Sequence, residues 1–367
     1  MPKRKILIVA GTRPEIIKLA PILLESARHP DGNLDFRFCL TGQHQQMARQ
    51  ALNIFDLHPD MSLDIMKPNQ TLNDIAAAVF EKLPAVIHRV KPDALLVQGD
   101  TTTAAIAAQT AFHLRVPVGH VEAGLRSHDL QAPFPEEYNR RLISTFARFN
   151  FCPTARAMDN LRHEGIQDST LHLTGNTVVD AVQDIVARGA LGDPSAVDSR
   201  IRRPFVLITA HRRESFGEGF RNICRAIRIC ADRFPALQFV YPVHLNPNVQ
   251  GPVRSLLGET ANVLLIEPVP YLFLLMLLNV CEFVLTDSGG IQEEAPSLGK
   301  YCIVMRDKTE RMESVEMGIS ELVGADFDRI VASVARQVAR PVAVDRTRNP
   351  YGDGRAAHRI LEILANG

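Results

Sequence analysis

The sequence lacks the charge imbalance that marks several classes of binding protein. Its 41 lysine and arginine residues are balanced by 41 aspartate and glutamate residues, so the formal net charge is zero. A balanced chain has no overall positive potential, which argues against a general nucleic-acid or membrane-surface partner. An anionic ligand would need basic groups gathered in one place.

Long hydrophobic runs are also missing. The most apolar stretch, YLFLLMLLNVC at 271–281, is far shorter than the roughly 18–20 residues of a membrane-spanning helix, so it predicts a buried helix. The opening segment MPKRKILIVAG carries a short apolar run that leads directly into a glycine turn, which favours a first β-strand over a signal peptide. We therefore expect a cytoplasmic protein without a membrane partner.

Several motifs that carry chemistry are absent. The six cysteines show no CxxC or metal-ligand spacing, and most lie in apolar segments, which predicts reduced thiols packed in the cores. The chain has no HExxH motif and no acidic calcium loop, so no metal site is predicted. It also lacks a complete GxGxxG after the first strand, a GxSxG motif and a Walker motif, which argues against a nicotinamide enzyme, an α/β-hydrolase and a P-loop protein.

Short apolar runs alternate with helical segments along the chain, and this pattern predicts parallel sheets covered on both faces. The predicted strands are KILIVAG, LDFRFCLTG, DALLVQGD, PVGHVEAG, NFCPT, TLHLTGN, PFVLITAH, LQFVYPVH, NVLLIEP, FVLTDSGG and YCIVMRD. At 367 residues the chain is long enough for two cores. We predict two doubly wound α/β domains, with ligands at the carboxyl ends of the strands and in a cleft between the domains.

The domain boundaries follow from composition. The segment 186–203 is polar and broken by glycine and proline, which is typical of a linker. We predict an N-terminal domain over 1–176, a connecting helix and linker over 177–203, a C-terminal domain over 204–350 and a final helix within 351–367.

The first candidate site follows the first predicted strand, in AGTRPEIIKLAP. Thr12 can cap a helix there and Pro14 suits its first turn, so Arg13 would lie beside free backbone N–H groups, a good anion site. Lys18 follows one turn later. An ordinary capped helix with a surface arginine explains the same spacing.

Acidic residues follow the next strands of the first half. Asp100 ends a strand in QGDTTT, where an N-cap is the alternative role. His120 and Glu122 share one face near the end of GHVEAG, and a packed histidine is the simpler reading of His120. PFPEE opens another helix, whose dipole favours acids at Glu136 and Glu137 whatever their function.

The second half repeats this arrangement with different residues. His211 ends the strand in ITAHRRES, and His244 ends the next in YPVHLNPN. The most informative segment is DSGGIQEEAPSLGK, which contains the turn Ser288, Gly289 and Gly290, whose backbone N–H groups could hold a diphosphate. Glu293 and Glu294 follow, and an acid there suits a ribose diol. Arg306 and Arg311 come shortly after, so the combination indicates a nucleotide.

Ten segments then become recognisable together, in order along nearly the whole chain. They are GTRPEIIKLAP, QGDTTT, GHVEAGLRS, PFPEE, TGNTVVDA, TAHRRES, YPVHLNPNV, DSGGIQEEAPSLGK, TERMESVEMG and NPYGDG. Together they resemble the non-hydrolysing UDP-N-acetylglucosamine 2-epimerases. The resemblance implies a glycosyltransferase-B-type fold whose final helix returns to the first domain. It also implies a cytoplasmic homodimer that interconverts UDP-N-acetylglucosamine and UDP-N-acetylmannosamine for surface polysaccharide, without metal or redox cofactor.

The same resemblance implies roles for individual residues. The acid/base groups would be Asp100, Glu122 and Glu136, with His211 acting near the sugar or the diphosphate. The residues implied to bind the substrate are Arg13, Lys18, His244, Ser288, Gly289, Gly290, Glu294 and Arg311. Which carboxylate removes the proton and which returns it stays open.

A second UDP-N-acetylglucosamine is implied as an activator beside the active site. The matching positions are Gln43, Gln46, Glu136 and His244. One arginine of that site in some relatives is Asn69 here.

The segment between the two candidate acids departs from the family pattern. Gln131 and Ala132 stand where relatives have a tyrosine-serine pair, and His128 replaces a common glycine. We expect any change in sugar preference to arise in residues 127–132, whereas Asp129 and Glu137 fit loop and helix-dipole charges.

Four alternative functions remain open at this point. The chain could be a hydrolysing epimerase, a 2-epimerase of a related UDP-2-acetamido sugar, a glycosyltransferase on the same fold, or a nucleotide-sugar sensor without catalysis. The three candidate acids argue most strongly against the sensor.

Overall fold

A computed structural model describes residues 3–42, 45–196 and 198–367, without the side chains of Gln45, Gln46, Pro194 and Arg213. The chain divides into two compact units. The first consists of Met1–Asp184 and Tyr351–Gly367, and the second of Ile185–Pro350.

The first unit is built on a parallel sheet. Its strands are β1 (Arg4–Ala10), β2 (Leu34–Leu40), β3 (Met61–Ser62), β4 (Ala94–Gln98), β5 (Val118–Val121), β6 (Phe149–Cys152) and β7 (Leu171–Leu173). They lie in the order β3-β2-β1-β4-β5-β6-β7, and each neighbouring pair is parallel. The central strands are apolar along their whole length because helices cover both faces of the sheet; Ile6, Leu7 and Leu95, for example, are fully buried.

The second unit has the same construction. Its strands are β8 (Phe205–Thr209), β9 (Gln238–Pro242), β10 (Val263–Ile266), β11 (Val284–Thr286), β12 (Cys302–Val304) and β13 (Ser320–Leu322). They form a parallel sheet in the order β10-β9-β8-β11-β12-β13. Its core includes the fully buried side chains of Phe220, Phe239 and Tyr241.

Helices connect the strands of both sheets. They are α1 (Arg13–Arg28), α2 (Gln45–Phe55), α3 (Leu72–Val90), α4 (Thr102–His113), α5 (Glu136–Ser144), α6 (Ala155–His163), α7 (Thr177–Ala187), α8 (Glu218–Arg233), α9 (Pro247–Leu257), α10 (Tyr271–Val280), α11 (Gly289–Glu294), α12 (Met312–Glu316), α13 (Phe327–Ala339) and α14 (Ala356–Asn366). Several begin at a residue whose side chain caps the first turn. Thr101 Oγ1 accepts from Ala104 N at 3.0 Å before α4, and Thr154 Oγ1 accepts from Ala157 N at 3.1 Å before α6.

The final helix packs within the first unit. α14 lies against α1 and β2. Asp180 accepts from the backbone N–H groups of Ala356 and Ala357 at the start of α14, at 3.3 and 2.8 Å. Near the other end, Arg4 Nη1 donates to the carbonyl of Leu364 at 2.6 Å. Both ends of the last helix are therefore held by side chains from much earlier in the chain.

The prediction of two doubly wound parallel sheets is confirmed, since each predicted strand sequence overlaps one of the observed strands. The patterns missed β3 and β13, which are short edge strands without a continuous apolar run. The apolar stretch at 271–281 forms the largely buried helix α10, as expected. No helix among the described residues has both the length and the apolar character needed to cross a membrane.

The prediction for the cysteines is also confirmed. All six are buried and unpaired. Burial raises the pKa of the Cys39, Cys152 and Cys281 thiols to about 12, so these thiols stay protonated and behave as small apolar core residues.

Both sheets have one point at which the strand order reverses. In the first sheet, β2 and β3 are added on one side of β1, and β4 to β7 follow on its other side. In the second sheet, β9 and β10 lie on one side of β8, and β11 to β13 lie on the other. The loops that leave such strands at their carboxyl ends diverge to opposite faces, which opens a crevice where α/β proteins bind ligands. The candidate residues of each unit follow these strands.

Candidate active site

Glu122 stands at the carboxyl edge of the first sheet, directly after β5. Its φ angle is +68°, in the left-handed region that is unfavourable for a residue with a side chain. The carboxylate is buried, forms an ion pair with Lys18 Nζ from α1, and accepts a hydrogen bond of 2.9 Å from Nε2 of Gln98 at the end of β4. The ends of two neighbouring strands and the helix α1 thus contribute to one buried, charge-compensated carboxylate, and backbone strain of this kind clusters at functional sites.

Asp100 lies at the same edge, after β4. Arg140 from α5 contacts its Oδ2 with Nε at 2.9 Å and with Nη2 at 2.8 Å. Asn139 Nδ2 donates to the Asp100 carbonyl at 2.8 Å. The carboxylate is a quarter exposed. α5 therefore holds Asp100 by its backbone and by one carboxylate oxygen, and Asp100 is not the N-cap of α4, which is Thr101.

The paired acids at the start of α5 have different surroundings. Glu136 is half-buried at the first position of the helix. Glu137 is fully buried and accepts from the backbone N–H groups of Ser127 at 2.9 Å and His128 at 3.2 Å. It also accepts from Arg141 Nε at 3.1 Å. The place of Glu137 in the first turn agrees with a helix-dipole charge. Its hydrogen bonds to Ser127 and His128 also hold the loop before α5 in place, and the sequence pattern did not predict this role.

The start of α1 differs from the expected anion site. Glu15 is buried in the first turn, and its Oε2 accepts from the backbone N–H groups of Gly11 at 3.0 Å and Thr12 at 2.6 Å. Burial raises the pKa of Glu15, and these hydrogen bonds act in the opposite direction. The N–H groups of Gly11 and Thr12 are therefore not free, and the prediction of free N–H groups beside Arg13 is wrong at these two positions. Arg13 itself is half-exposed and remains a candidate, while Lys18 reaches Glu122.

His120 is a packed histidine, as the simpler reading predicted. It is fully buried, and its Nε2 lies 2.7 Å from the carbonyl of Gly99 in the loop that carries Asp100. Burial lowers its pKa to about 4, so the ring is neutral and Nε2–H donates to Gly99. His120 therefore stabilises the loop rather than exchanging protons.

In the second unit, a buried acid supports the histidine after β8. Asp287 Oδ2 accepts from the backbone N–H groups of His211 at 2.6 Å and Arg212 at 2.7 Å, and its Oδ1 lies 3.6 Å from His211 Nδ1. Burial raises the pKa of Asp287 and lowers that of His211, while the attraction between the two acts against both shifts. The His211 ring stacks on His244, with centroids 5.2 Å apart. Asp287 was not predicted, although an acid at the end of β11 is the signal that could have found it.

The glycine turn after β11 forms the start of α11. Ser288 caps this helix, with Oγ 3.5 Å from the N–H of Ile291. A Cβ atom on Gly289 would lie 2.8 Å from Cζ of Arg311, so the missing side chain lets this guanidinium lie over the turn. Gly290 is half-buried and Glu294 is buried in the same helix.

Three arginines lie close together beside this turn. Arg311 Nε donates to Glu293 Oε1 at 2.7 Å, and Arg306 Nε donates to Glu214 Oε1 at 2.6 Å. Arg212 is half-buried; burial lowers its pKa, and the positive charges of Arg306 and Arg311 lower it further. Glu310 Oε2 lies 3.4 Å from Arg306 and 3.3 Å from Arg311, and Arg212 adds a third positive charge, so this cluster is suited to a diphosphate. Glu294, buried one position after Glu293, stays the candidate for a ribose contact that the resemblance implies.

Two of the residues implied for the activator site fall outside the described part of the structure. Gln43 lies outside the described residues, and so does the side chain of Gln46. Of the four residues implied for an activator, Glu136 and His244 are described, one in each unit.

Comparison with known proteins identifies the family. The family model described as UDP-N-acetylglucosamine 2-epimerase matches residues 26–365. The chain belongs to the UDP-N-acetylglucosamine 2-epimerase family. An Escherichia coli (strain K12) UDP-N-acetylglucosamine 2-epimerase is 46% identical over 372 residues, which cover 99% of this chain and 98% of the relative. The crystal structure of the Neisseria meningitidis UDP-GlcNAc 2-epimerase bound to UDP-GlcNAc is 42% identical, with a TM-score of 0.92 over 99% of this chain and 100% of that chain.

Membership of the 2-epimerase family confirms the resemblance seen in the ten sequence segments and the expected enzyme class, an isomerase. The glycosyltransferase-B-type fold is confirmed as well. A structure described as the glycotransferase of kitacinnamycin shares the fold with a TM-score of 0.64 at 13% identity, a similarity that bears on the fold alone.

Proposed function

We propose that this protein interconverts UDP-N-acetylglucosamine and UDP-N-acetylmannosamine by eliminating UDP and adding it back, without releasing free sugar. Family membership supports the 2-epimerase activity, and the Neisseria meningitidis relative binds UDP-GlcNAc. The observation that carries the proposal is the buried Glu122 carboxylate, held by Lys18 and Gln98 at the strained end of β5.

The chemistry requires groups of two kinds. The proton on carbon 2 of the sugar is not next to a carbonyl, so removing it alone is too unfavourable. Loss of that proton must accompany breakage of the bond between carbon 1 and the diphosphate oxygen. UDP then leaves with the electron pair, and a 2-acetamidoglucal with a double bond between carbons 1 and 2 remains. Re-addition of UDP to carbon 1, with protonation of carbon 2 from the opposite face, completes the epimerisation.

The first unit supplies carboxylates suited to the proton transfers. Glu122 is paired with Lys18 and Asp100 with Arg140, so a positive charge lies beside each of these carboxylates. Glu136 lies near the same edge at the start of α5. Base and acid on opposite faces of the sugar need different carboxylates, and this edge offers more than one.

The second unit supplies groups suited to the departing diphosphate. Arg212, Arg306 and Arg311 form the cationic cluster, and Ser288 and Gly289 begin the helix beside it. Fixed positive groups at the leaving oxygen stabilise charge that develops as the bond breaks. The imidazole of His211, which lies beside Asp287, is suited to hydrogen-bonding the diphosphate.

Proton NMR in deuterated water tests this proposal directly. Incubation with UDP-N-acetylglucosamine should yield an equilibrium mixture of two intact UDP-sugars, both with deuterium at carbon 2. The label enters because the proton returned to carbon 2 comes from solvent. A sample of the Glu122→Gln variant serves as the matched control and should incorporate the label far more slowly.

Three results would contradict the proposal in different ways. Accumulation of free N-acetylmannosamine and UDP would indicate a hydrolysing epimerase. Epimerisation with the original proton retained would exclude the elimination. Consumption of substrate only in the presence of an acceptor sugar would indicate a glycosyltransferase.

We also propose that a second UDP-N-acetylglucosamine activates the enzyme, on the strength of the positions that match the family. A sigmoidal dependence of the rate on UDP-N-acetylglucosamine would be expected, and a reverse reaction that stays inactive until a trace of this sugar is added. A hyperbolic rate curve in both directions would contradict it.

A further inference from the structure

Three potential metal ligands meet on the surface of the first unit, away from the carboxyl edge of its sheet. Glu25 and His29 come from the end of α1, and His358 comes from the first turn of α14. Among the residues that the structure describes, their ligand atoms lie within 4.8 Å of one another. We propose that Glu25, His29 and His358 form a binding site for Zn²⁺ or a similar divalent transition-metal ion.

The distances agree with those of a zinc site. In a tetrahedral site with bonds of roughly 2.0–2.1 Å, ligand atoms lie about 3.3 Å apart. Oε1 of Glu25 lies 3.1 Å from His358 Nδ1 and 3.4 Å from His29 Nε2. His29 is 59% exposed, so a small rotation of its side chain is enough to close the site. Two imidazoles and one carboxylate form a common zinc ligand set, in which water takes the fourth position.

The surrounding groups orient the ligands as metal sites require. The second ring nitrogen of His358, Nε2, lies 3.3 Å from Oε1 of Glu362. When Nδ1 binds a metal, Nε2–H donates to this carboxylate, and such a contact fixes the ring and makes the ligating nitrogen more basic. Oε2 of Glu25 accepts from Arg28 at 3.1 Å, and Arg28 donates in turn to Asp184 at 2.9 Å. Oε1 of Glu25 is thereby directed toward the two histidines.

The local charge also favours a divalent cation. Carboxylate oxygens of Glu25 and Glu362 lie 3.1–3.4 Å from ring nitrogens of His29 and His358. A cation bound by these rings would therefore face negative charge. Because α14 lies against α1, the ion would join the end of α1 to the last helix of the chain. The proposed site is therefore a structural clamp, independent of the epimerase reaction.

Titration calorimetry with zinc chloride on the chelator-treated full-length protein tests the site. The wild type should bind one Zn²⁺ per chain, and His29→Ala should bind at least about tenfold more weakly because it loses a ligand. His163→Ala is the matched control, since His163 is exposed near the end of α6, and it should bind like the wild type. Circular dichroism of each metal-free variant confirms that it is folded.

A further variant separates a metal site from a mere cluster of charges. Glu362→Ala keeps all three ligands but removes the carboxylate that accepts from His358, so zinc affinity should fall by roughly 10–100-fold. Co²⁺ in place of Zn²⁺ should produce the visible absorption of a four-coordinate site, and this absorption should be absent in His29→Ala. The proposal is wrong if the wild type shows no saturable binding, if His29→Ala binds as tightly, or if His163→Ala removes the binding. His29 is exposed, so His29→Ala should fold like the wild type, and its zinc affinity decides the question.

Discussion

The two sheets arrange their charged side chains differently at the same topological position. After the strands of the first unit, carboxylates are supported by cations: Lys18 holds Glu122 and Arg140 holds Asp100. After the strands of the second unit, arginines are supported by acids, as Glu293 holds Arg311. The same fold therefore holds carboxylates with cations in the first unit and an arginine with an acid in the second. The chemistry of each edge depends on its loops.

This difference suggests a division of labour that substitutions can test. A group of the first edge should affect the rate of the chemical step more than the affinity for UDP. A group of the second edge should affect the affinity for UDP more than the rate of the chemical step. The reason is that free UDP already contains the diphosphate that this edge would bind.

The largest effect is expected for Glu122→Gln. Loss of the carboxylate should lower kcat by about 10²–10⁴-fold, the usual contribution of a general acid or base. The affinity for UDP, measured by calorimetry, should change little. Glu81→Gln, on the exposed face of α3, is the control and should keep the wild-type rate. If UDP binding falls as far as kcat, Glu122 holds the nucleotide and the proposed division is wrong.

Arg212→Met should have the next largest effect, on binding. Removing one guanidinium from the cluster should weaken UDP binding by roughly 10–100-fold, the range for charge-assisted hydrogen bonds. Arg228→Met, on the exposed face of α8, is the matched control. Unchanged UDP affinity in Arg212→Met would remove this residue from the site.

Glu137→Gln should act on stability rather than on chemistry. Its carboxylate accepts from Ser127 N, His128 N and Arg141, so the amide should lower the free energy of unfolding by about 1.5–2 kcal/mol. Urea denaturation measures this change, and Glu136→Gln, one position earlier, should lose less stability. The opposite order would mean that Glu136 is the structural acid and Glu137 a candidate for catalysis.

The most gradual effect is expected from the pH dependence at His120, because it is spread over more than two pH units. Its pKa is about 4 in the folded protein and 6.5 in the reference state, so between these values the unfolded chain binds a proton that the folded chain does not. Stability should therefore fall as the pH drops through this window, by at most about 1.4 kcal/mol per pH unit.

The difference between wild type and His120→Asn isolates this contribution from other titrating groups. Urea denaturation at pH values above and below 6.5 should show the wild type losing stability relative to the variant only on the acidic side. A constant difference across this range would show that His120 does not titrate as expected.

Much of the fold could be predicted because its signals are local. An apolar strand such as β1, buried on both faces, differs in composition from the helix that follows it, and the predicted cap residue Thr12 stands directly before α1. The short edge strands β3 and β13 were missed because pairing with a neighbour, rather than their own sequence, makes them strands. The same reasoning placed Asp100, Glu122 and His211 after strand ends but could not name their partners.

The sequence by itself determined the fold class, the edge at which each candidate residue lies and the family. The tertiary structure decided which residues meet. Glu122 and Lys18 are 104 positions apart, and Glu25 and His358 are 333 apart. Such pairs depend on strand order and on the packing of α14 against α1, and no local pattern of hydrophobicity, capping or charge records either one.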